Sequence, residues 1–429
     1  MSKPTPAYKP RIADMVLARK LQSKGAVLID GPKWCGKTTT AKQLATSMLN
    51  LGDSMAFESA QIALQVNPTA LLSGTTPRLI DEWQTMPKLW DMVRSEVDRR
   101  QLFGQFILTG SSVPPDQSQM RHSGTGRIGR LSMRTMSLWE SGESTGTVSL
   151  SALFDGEHLE PQPNALSLQQ IAFLICRGGW PQTTMLRNEL ALDAARDYFE
   201  AIHRADIHRV DSTRRSSERT HLLLRSYARN QGSAVSLQHL CNDLKANDNL
   251  SITYETVSDY LNALRRLFVV DDMAAWNPNL RSKAAIQTSP TRYFVDPSIA
   301  ASALAMGPNE LINDLNTMGL LFETMAVRDL RVYADALMGS VSHFRNTSGL
   351  ECDAVLRRAN GDYALVEIKL GGPALIDKGA ATLCRLASKI DTDKMRKPAF
   401  MMVLTAVGDY SYRRPDDGVW VVPIGCLKP

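Results

Sequence analysis

The chain has 429 residues, about three times the ~150 residues of an ordinary single domain, so several domains are expected. Its 43% hydrophobic and 22% charged residues exclude a mostly disordered, collagenous or fibrous protein. The net charge of +5 permits nucleic-acid binding but does not argue for it, because the local placement of charge matters more than the sum.

The six cysteines are scattered, with no CxxC pair and no histidine at metal-ligand spacing. This pattern argues against structural zinc and against a disulfide framework, and it favours reduced thiols in a cytosol. The first residues lack the apolar stretch of a signal peptide, and no run reaches ~18 uninterrupted apolar residues. We therefore expect a cytoplasmic protein with no membrane-embedded segment.

Residues 11–140 alternate short apolar runs with helical patterns, and the runs at 26–30, 78–82 and 105–109 are predicted strands. Because these strands are apolar on both faces, they indicate a parallel sheet covered by helices. The following segment, 141–165, is rich in Gly, Ser, Thr, Pro and Glu and is predicted to be a loop or linker.

The second half of the chain continues with three further units. Residues 166–210 show a helical pattern, and residues 218–276 hold three helix-like runs. Residues 309–429 form a final αβ unit with a long helix around 319–333. Its strand-like runs are 342–345, 353–357, 363–369, 399–404 and 419–423.

A phosphate-binding motif starts at Gly31, where Gly-Pro-Lys-Trp-Cys-Gly-Lys-Thr fits GxxxxGK[ST], follows an apolar strand and opens a helix. Glycines let backbone N–H groups close around phosphate, Lys37 reaches the β- and γ-phosphates, and the Thr38 hydroxyl can hold Mg²⁺. The motif therefore predicts ATP and Mg²⁺ as cofactors. The residues predicted to contact the nucleotide are Gly31, Pro32, Lys33, Gly36, Lys37, Thr38 and Thr39.

Two later strands end in polar side chains suited to hydrolysis. In Leu-Ile-Asp-Glu, Asp81 would assist Mg²⁺ coordination and Glu82 would polarise the attacking water. At the end of the next strand, Thr109 or Ser111 would hydrogen-bond the γ-phosphate or the water, with a simple polar turn as the alternative. We predict Glu82, Lys37 and Thr109 as catalytic residues.

Two arginines follow in a glycine-rich loop. An exposed arginine there can reach the γ-phosphate of a neighbouring subunit, where such a finger is worth ~10³–10⁵ in rate. Arg127 is the first candidate and Arg130 the second. A merely solvated arginine is the alternative.

These motifs together resemble the AAA-type P-loop ATPases of the AAA+ superfamily, in the mostly prokaryotic family whose C-terminal half is a domain of unknown function. The resemblance implies an AAA+ core with a helical lid over the nucleotide. It also implies that residues 178–181 lie in the lid on the adenine side, including Pro181, and that Arg177 senses phosphate. Trp34 then either stacks on a ligand or packs against the lid. The matching stretches are GPKWCGKTTT, LIDEWQTMPKLW, FILTGSS, TGRIGRL, RGGWPQ, GLLFETMAVRDL and ECDAVL with LVEIKL.

Two segments are candidates for contact with DNA. Residues 218–276 look like a winged helix-turn-helix with Ser236 and Ser251 or Thr253 as N-caps, although the recognition face offers little basic charge. A helical packing module is the alternative. Just before it, residues 203–229 carry seven arginines against three acids, which suits contact with a phosphate backbone. A solvated face or subunit salt bridges are the alternatives there.

The C-terminal unit carries Glu323 on a helix, Asp353 opening one strand, and Glu367 and Lys369 on the next. Acids on adjacent strands can hold a second Mg²⁺, and the lysine can orient or activate water. This set resembles the PD-(D/E)xK nuclease core. Active cleavage, DNA binding without cleavage and a structural ion network remain open.

The combined expectation is an ATP-hydrolysing AAA+ motor or remodeller that acts on DNA as a ring, with a hexamer as the expected size. DNA would be bound without sequence preference, with branched DNA such as Holliday junctions among the candidate substrates. One alternative is a nucleotide-dependent switch or scaffold that assembles protein partners. Another is a Mg²⁺-dependent nuclease gated by ATP.

Overall fold

The computed structural model describes residues 8–112, 122–210, 213, 215–278 and 287–429. Within these residues a five-stranded sheet comes first, a group of helices follows, and a seven-stranded sheet forms the C-terminal part. This arrangement confirms the predicted α/β class with a parallel-sheet core and a C-terminal αβ unit. None of the described helices is long and apolar enough to cross a bilayer.

Five strands form the N-terminal sheet: β1 (Ala26–Asp30), β2 (Ser47–Asn50), β3 (Arg78–Asp81), β4 (Phe106–Gly110) and β5 (Ile128–Ser132). Every neighbouring pair is parallel, in the order β2–β3–β4–β1–β5. All residues of β1 and β4 are buried, as expected for strands with helices on both faces. The sequence predicts β1, β3 and β4 but misses the edge strands, because β2 is half-buried and β5 contains a glycine and an exposed arginine.

Helices enclose this sheet in two apolar layers, one around Trp83, Trp90 and Phe106 and the other around Leu17 and Ile29. The helix at Lys37–Lys42 follows the glycine-rich loop at the carboxyl end of β1. Its amino terminus therefore lies at the edge where the strands end. The helices are α1 (Ile12–Leu21), α2 (Lys37–Lys42), α3 (Ser54–Val66), α4 (Leu89–Arg100) and α5 (Leu138–Ser141).

The predicted linker is an ordered connection that the C-terminal part of the chain holds on two sides. It contains β6 (Val148–Ser149), α6 (Leu150–Phe154) and β7 (Gln162–Pro163). β6 pairs with β14 (Leu427–Lys428), and β7 pairs with β12 (Tyr410–Arg413). The loop prediction is therefore wrong, because backbone pairing with distant strands leaves no trace in the local composition.

The middle of the chain is helical, as predicted, and packs into one core with the long C-terminal helix. Ser236 accepts a hydrogen bond from the His239 backbone N–H and Thr253 from that of Thr256, which confirms both as N-caps. Its helices are α7 (Leu168–Arg177), α8 (Glu189–Arg204), α9 (Ser217–Arg229), α10 (Leu237–Asp248), α11 (Tyr254–Arg266), α12 (Pro297–Ala303) and α13 (Pro308–Asn313).

The C-terminal sheet lies between two helices, and its side chains alternate between two apolar layers. Val366 packs in the layer of the long helix, whereas Leu365 packs with Leu383 on the opposite face. The remaining elements are α14 (Leu315–Ala336), β8 (Ser340–Arg345), β9 (Glu351–Arg357), β10 (Tyr363–Lys369), α15 (Pro373–Lys389), β11 (Met401–Thr405) and β13 (Trp420–Pro423). The sheet order is β7–β12–β13–β11–β10–β9–β8.

Candidate active site

A cavity of about 270 Å³ lies at the carboxyl edge of the N-terminal sheet, between the glycine-rich loop and the helical middle. Open α/β sheets bind ligands at this edge, where loops follow the strand ends. The lining residues are Lys33, Trp34, Gly36, Lys37, Thr38, Thr39, Glu82, Ser111, Pro181 and Gln182.

The loop that forms one wall of the cavity requires glycine at its start. Gly31 has φ of 150°, and a Cβ there would lie 2.1 Å from the carbonyl oxygen of Met133. The Lys37 ammonium sits inside the loop, where it donates to the carbonyl oxygens of Gly31 at 2.9 Å and Pro32 at 2.7 Å. The loop thus already holds a cation at its centre, which is the arrangement a bound phosphate needs.

Two neighbouring loop residues connect the loop to the helical middle. The Lys33 ammonium pairs with Asp206 at 2.5 Å. Trp34 adopts a left-handed φ of 70° and stacks on Tyr198 of α8, with ring centroids 5.9 Å apart and planes within 10°. Tyr198 in turn contacts Trp180 at 4.0 Å, so Trp34 packs against the helical segment while one part of its ring borders the cavity.

Asp81 is the shared acceptor of two threonine hydroxyls. Thr38 donates to its Oδ1 at 2.7 Å, and Thr109, which lies opposite Asp81 in the sheet register, donates to the same oxygen. A carboxylate beside a hydroxyl is the oxygen ligand set that Mg²⁺ prefers, so Thr38 and Asp81 fit the predicted metal position. Thr109 is fully buried and does not line the cavity, which contradicts its predicted contact with phosphate or water.

Glu82 faces the cavity from a strained backbone position, with φ of 56° in the left-handed region. Its Oε2 accepts a hydrogen bond from the Ser111 hydroxyl at 2.9 Å and another from the Gln84 amide. Gln84 also donates to Ser111 at 3.3 Å. Ser111, the alternative to Thr109 in the sequence prediction, is therefore the hydroxyl that meets the cavity beside Glu82.

The Gly-Gly-Trp-Pro stretch is mainly a packing junction. A Cβ on Gly179 would lie 2.1 Å from the Met136 carbonyl oxygen, so only glycine allows the two backbones to meet. Trp180 is fully buried and donates to the Ser298 hydroxyl at 3.0 Å. Pro181 and the next residue, Gln182, reach the cavity.

Arg177 lies outside the cavity, against the prediction that it senses phosphate. Its guanidinium pairs with Glu143 and donates to the Gly178 carbonyl oxygen at 3.0 Å. The side chain is buried by these contacts. The sequence could not anticipate this pairing, because Glu143 belongs to the segment that was predicted to be a loop or linker.

Arg127 lies at the opposite edge of the sheet from the cavity. It precedes β5, whose first residue Ile128 is in register with Ala26, whereas the glycine-rich loop follows the last residue of β1. A five-residue strand separates the two edges by about 16 Å at ~3.3 Å per residue. Arg127 is half-exposed and pairs with Asp98 at 2.7 Å. It cannot reach the cavity of its own subunit.

The arginines of 203–229 are largely neutralised by neighbouring acids. Helix α11, the predicted recognition helix, also exposes Glu255, whose charge repels a phosphate backbone. Arg214 lies outside the described residues. The ion pairs are Arg204–Glu200 at 2.6 Å, Arg215–Asp259 at 2.9 Å, Arg225–Asp248 at 3.5 Å and Arg229–Asp243 at 2.6 Å.

In the C-terminal cluster, Lys369 is held between two carboxylates. Its ammonium lies 3.0 Å from Asp353 and 2.7 Å from Glu367, and the Ile368 backbone N–H donates to Asp353 at 2.7 Å. Glu367 and Lys369 share a face of β10 through strand alternation, and Asp353 reaches them from the neighbouring β9. The sequence thus identified residues that do meet.

The predicted second Mg²⁺ site is not formed by this cluster. Glu323 accepts a hydrogen bond from the Tyr293 hydroxyl at 2.5 Å, and Lys369 takes the position of a cation between the other two acids. In the described part of the chain, no group of three or more His, Cys, Asp or Glu side chains is arranged to hold a metal ion. Burial and the charge of Asp353 raise the pKa of Glu323 well above its ordinary value and that of Glu367 to about 8.

Three residues that support the cavity were missed by the sequence reasoning. Gln84 holds Glu82, Asp206 holds Lys33, and Arg11 donates to the Cys35 carbonyl oxygen at 2.8 Å. Gln84 stands two residues after Glu82 in the same motif, so proximity in sequence was an available signal. Asp206 and Arg11 come from distant segments, so their sequence positions gave no signal that they support the cavity.

Three family models match successive parts of the chain. An AAA domain matches residues 23–141, a domain of unknown function (DUF8612) matches residues 168–310, and another (DUF4143) matches residues 318–427. Uncharacterised proteins of Mycobacterium bovis and Mycobacterium tuberculosis are each 23% identical over 317 residues, which is 73% of this chain. The aligned part spans 64% of the length of these curated relatives. A Walker-type ATPase of Pyrococcus abyssi aligns with a TM-score of 0.42 at 15% identity, over 68% of this chain and 94% of that chain.

Proposed function

We propose that this chain, in which residues 23–141 match an AAA domain and residues 318–427 match DUF4143, hydrolyses ATP with Mg²⁺ and uses the cycle to act on DNA as a ring. One observation carries the proposal. Lys37, Thr38, Glu82 and Ser111 line a single cavity at the carboxyl edge of a parallel sheet, so phosphate-binding and water-activating groups face one another.

In this proposal each side chain of the cavity has a separate task. Lys37 exchanges two carbonyl oxygens for the β- and γ-phosphates, and Thr38 and Asp81 hold Mg²⁺. Bound Mg²⁺ neutralises charge on the phosphate oxygens. Glu82 accepts a proton from the attacking water, and Ser111 keeps the carboxylate oriented through its hydrogen bond.

Contacts between the cavity wall and the C-terminal helix support coupling of hydrolysis to the rest of the molecule. The Gly179 backbone N–H, two residues from Pro181, donates to Asp296 at 2.9 Å. Asp296 pairs with Arg328 of α14 at 3.1 Å, and both side chains are buried. A shift of the wall on nucleotide binding would therefore move a buried ion pair on α14.

The position of Arg127 supports assembly into a ring, with a hexamer as the expected size. An arginine on the edge opposite its own cavity can act on the nucleotide of a neighbour. Glu82→Gln and Arg127→Ala subunits should each hydrolyse ATP poorly alone. Mixed in equal amounts, they should regain a fraction of the wild-type rate, because some cavities then have both residues. A mixture as inactive as its components would overturn the role of Arg127.

The decisive experiment measures ATP hydrolysis with added single-stranded, duplex and four-way-junction DNA, with particle mass measured alongside. Stimulation that disappears between 50 and 200 mM salt, roughly the range over which phosphate contacts weaken, supports action on DNA. An unchanged rate with every DNA at low salt favours the nucleotide-dependent switch that assembles protein partners. Glu58→Gln, on the exposed face of α3, is the matched control for Glu82→Gln.

The ATP-gated nuclease has less support, because Lys369 already pairs with both of its neighbouring acids. Mg²⁺-dependent DNA cleavage that survives Glu82→Gln and is lost with Asp353→Ala would favour the nuclease. Absence of cleavage on all three DNA forms would exclude the nuclease function.

A further inference from the structure

Two open cavities adjoin on the face where the ATPase domain meets the C-terminal domain. The first, of about 470 Å³, lies along α1, β5 and the end of α14, and the second, of about 540 Å³, lies along β8 and β9. Both are bordered by Met338 and Gly339, so they form one continuous surface. Its cationic residues form a basic tract that consists of Arg19, Lys20, Arg130, Arg357 and Arg358.

Apart from Arg358, the charges of the basic tract have few close carboxylates within the protein. Among the described residues that line the two cavities, Asp335 is the single carboxylate. Arg19 and Arg357 are exposed, and in the described structure neither forms an ion pair with a carboxylate, although Arg357 donates to the Ser340 hydroxyl at 3.4 Å. Arg358 is the exception in the tract, because it pairs with Asp155 at 2.6 Å. Arg130 is 60% exposed and lies 3.7 Å from Asp30, a long contact for an ion pair. The arginines of 203–229, in contrast, mostly carry close carboxylate partners.

We propose that the basic tract binds the sugar–phosphate backbone of DNA without reading its sequence. This inference rests on the proposed action on DNA and assigns it to a surface other than α11 or residues 203–229. Arg19 and Arg357, which are exposed and have no carboxylate partner, gain phosphate contacts and release counterions with no internal ion pair to break.

The floor of the second cavity explains why contact with the backbone is favoured over contact with bases. Trp276 and Tyr363 border it, but both are buried against each other at 5.0 Å and leave no ring face on which a base could stack. The tract also spans two domains, because Arg19 and Arg130 belong to the ATPase part and Arg357 to the C-terminal sheet. A bound backbone would therefore link both domains across Met338, directly after α14.

The test uses charge reversal at the two exposed arginines that lack carboxylate partners. The full chain with Arg19→Glu and Arg357→Glu is compared with wild type by fluorescence anisotropy of a labelled duplex at several salt concentrations. We expect an affinity loss of about tenfold or more and a fall of about 2 in the slope of log K against log salt. The neutral variant with Arg19→Gln and Arg357→Gln should lose about half as much. An unchanged melting temperature shows that the loss is not misfolding.

The matched control reverses Arg209 and Arg219, which are exposed in the segment that the sequence favoured. If this control loses affinity and the tract variant does not, the inference is wrong and residues 203–229 bind DNA. Equal DNA binding by wild type and the tract variant also overturns the tract while leaving action on DNA intact. If wild type binds no DNA at low salt, the proposed action on DNA fails instead. An acidic peptide that binds the tract in its place would identify a protein partner and overturn the inference.

Discussion

The nucleotide cavity and the C-terminal cluster both place a lysine beside acids at strand ends, but the two lysines differ in what they bind. Lys37 contacts two backbone carbonyl oxygens beside a cavity of about 270 Å³. Lys369 contacts two carboxylates, and the cavity that Glu323 and Asp353 border measures only about 30 Å³. Exchanging carbonyl oxygens for phosphate favours binding, whereas opening a buried ion pair opposes it. Similar motifs therefore produce an available site in one domain and a lysine already paired with its acids in the other.

The largest expected effect comes from removing the available lysine. Lys37→Ala should reduce ATP hydrolysis by about 10²-fold or more, because the variant lacks the cation that meets the phosphates. Phosphate release under saturating ATP measures the loss. Lys42→Ala, on the exposed end of the same helix, should hydrolyse ATP normally. Undiminished hydrolysis by Lys37→Ala would disprove the assigned site.

Removing the second lysine should affect stability instead of hydrolysis. Lys369→Met removes the counterion of Asp353 and the hydrogen-bond donor to Glu367, at a cost of about 3–5 kcal/mol in the free energy of unfolding. Urea denaturation measures this loss, and the double variant with Glu367→Gln should recover part of it. If Lys369→Met is as stable as wild type and Mg²⁺ raises its melting temperature, the acids form a metal site. That result would contradict a stabilising role for Lys369.

A smaller effect separates the two hydroxyls at the end of β4. Ser111→Ala should lower kcat about tenfold, because one hydrogen bond to Glu82 is worth about 1–1.5 kcal/mol. Thr109→Val should instead raise the Mg²⁺ concentration needed for half-maximal rate, since Thr109 donates to Asp81. The reverse pattern would restore Thr109 as the residue that faces the substrate.

The smallest expected effect concerns the pH dependence of stability where α14 meets the ATPase domain. Burial raises the pKa of Asp329 to about 6, although the Arg328 guanidinium lowers it. Between its ordinary value of 3.8 and 6, the folded protein holds a proton that the unfolded chain has lost, so stability falls as pH rises. Asp329→Asn should show a smaller fall in melting temperature from pH 4 to 6. An identical slope in both proteins would place the proton elsewhere.

The motifs predicted a large part of the fold and of the nucleotide cavity. An apolar strand, a glycine-rich loop and a helix start are adjacent in sequence, so Gly31, Lys37 and Thr38 are positioned by local structure. The matches to an AAA domain and to DUF4143 confirm the family resemblance that these motifs indicated. Glu82 needed only the rule that carboxyl ends of parallel strands meet at one edge.

Partners that come from distant segments could not be predicted. Arg177 was assigned to phosphate, but its nearest acid is Glu143 of the connecting segment. Thr109 was assigned to the cavity, but the strand register directs it to Asp81. In both cases the side chain does make a specific polar contact, as predicted, but its partner is a protein carboxylate and not the nucleotide.

The sequence by itself determined the α/β class, the nucleotide motif and which lysines and acids gather in each domain. Only the tertiary structure decided which charges remain available, because neutralisation depends on pairs that are remote in the chain, such as Arg215 with Asp259. For the same reason, the DNA contact that we propose lies at Arg19 and Arg357 and not in the arginine-rich segment. Counting charges along the chain finds the arginine-rich segment, whereas the structure shows which of its arginines are already paired with acids.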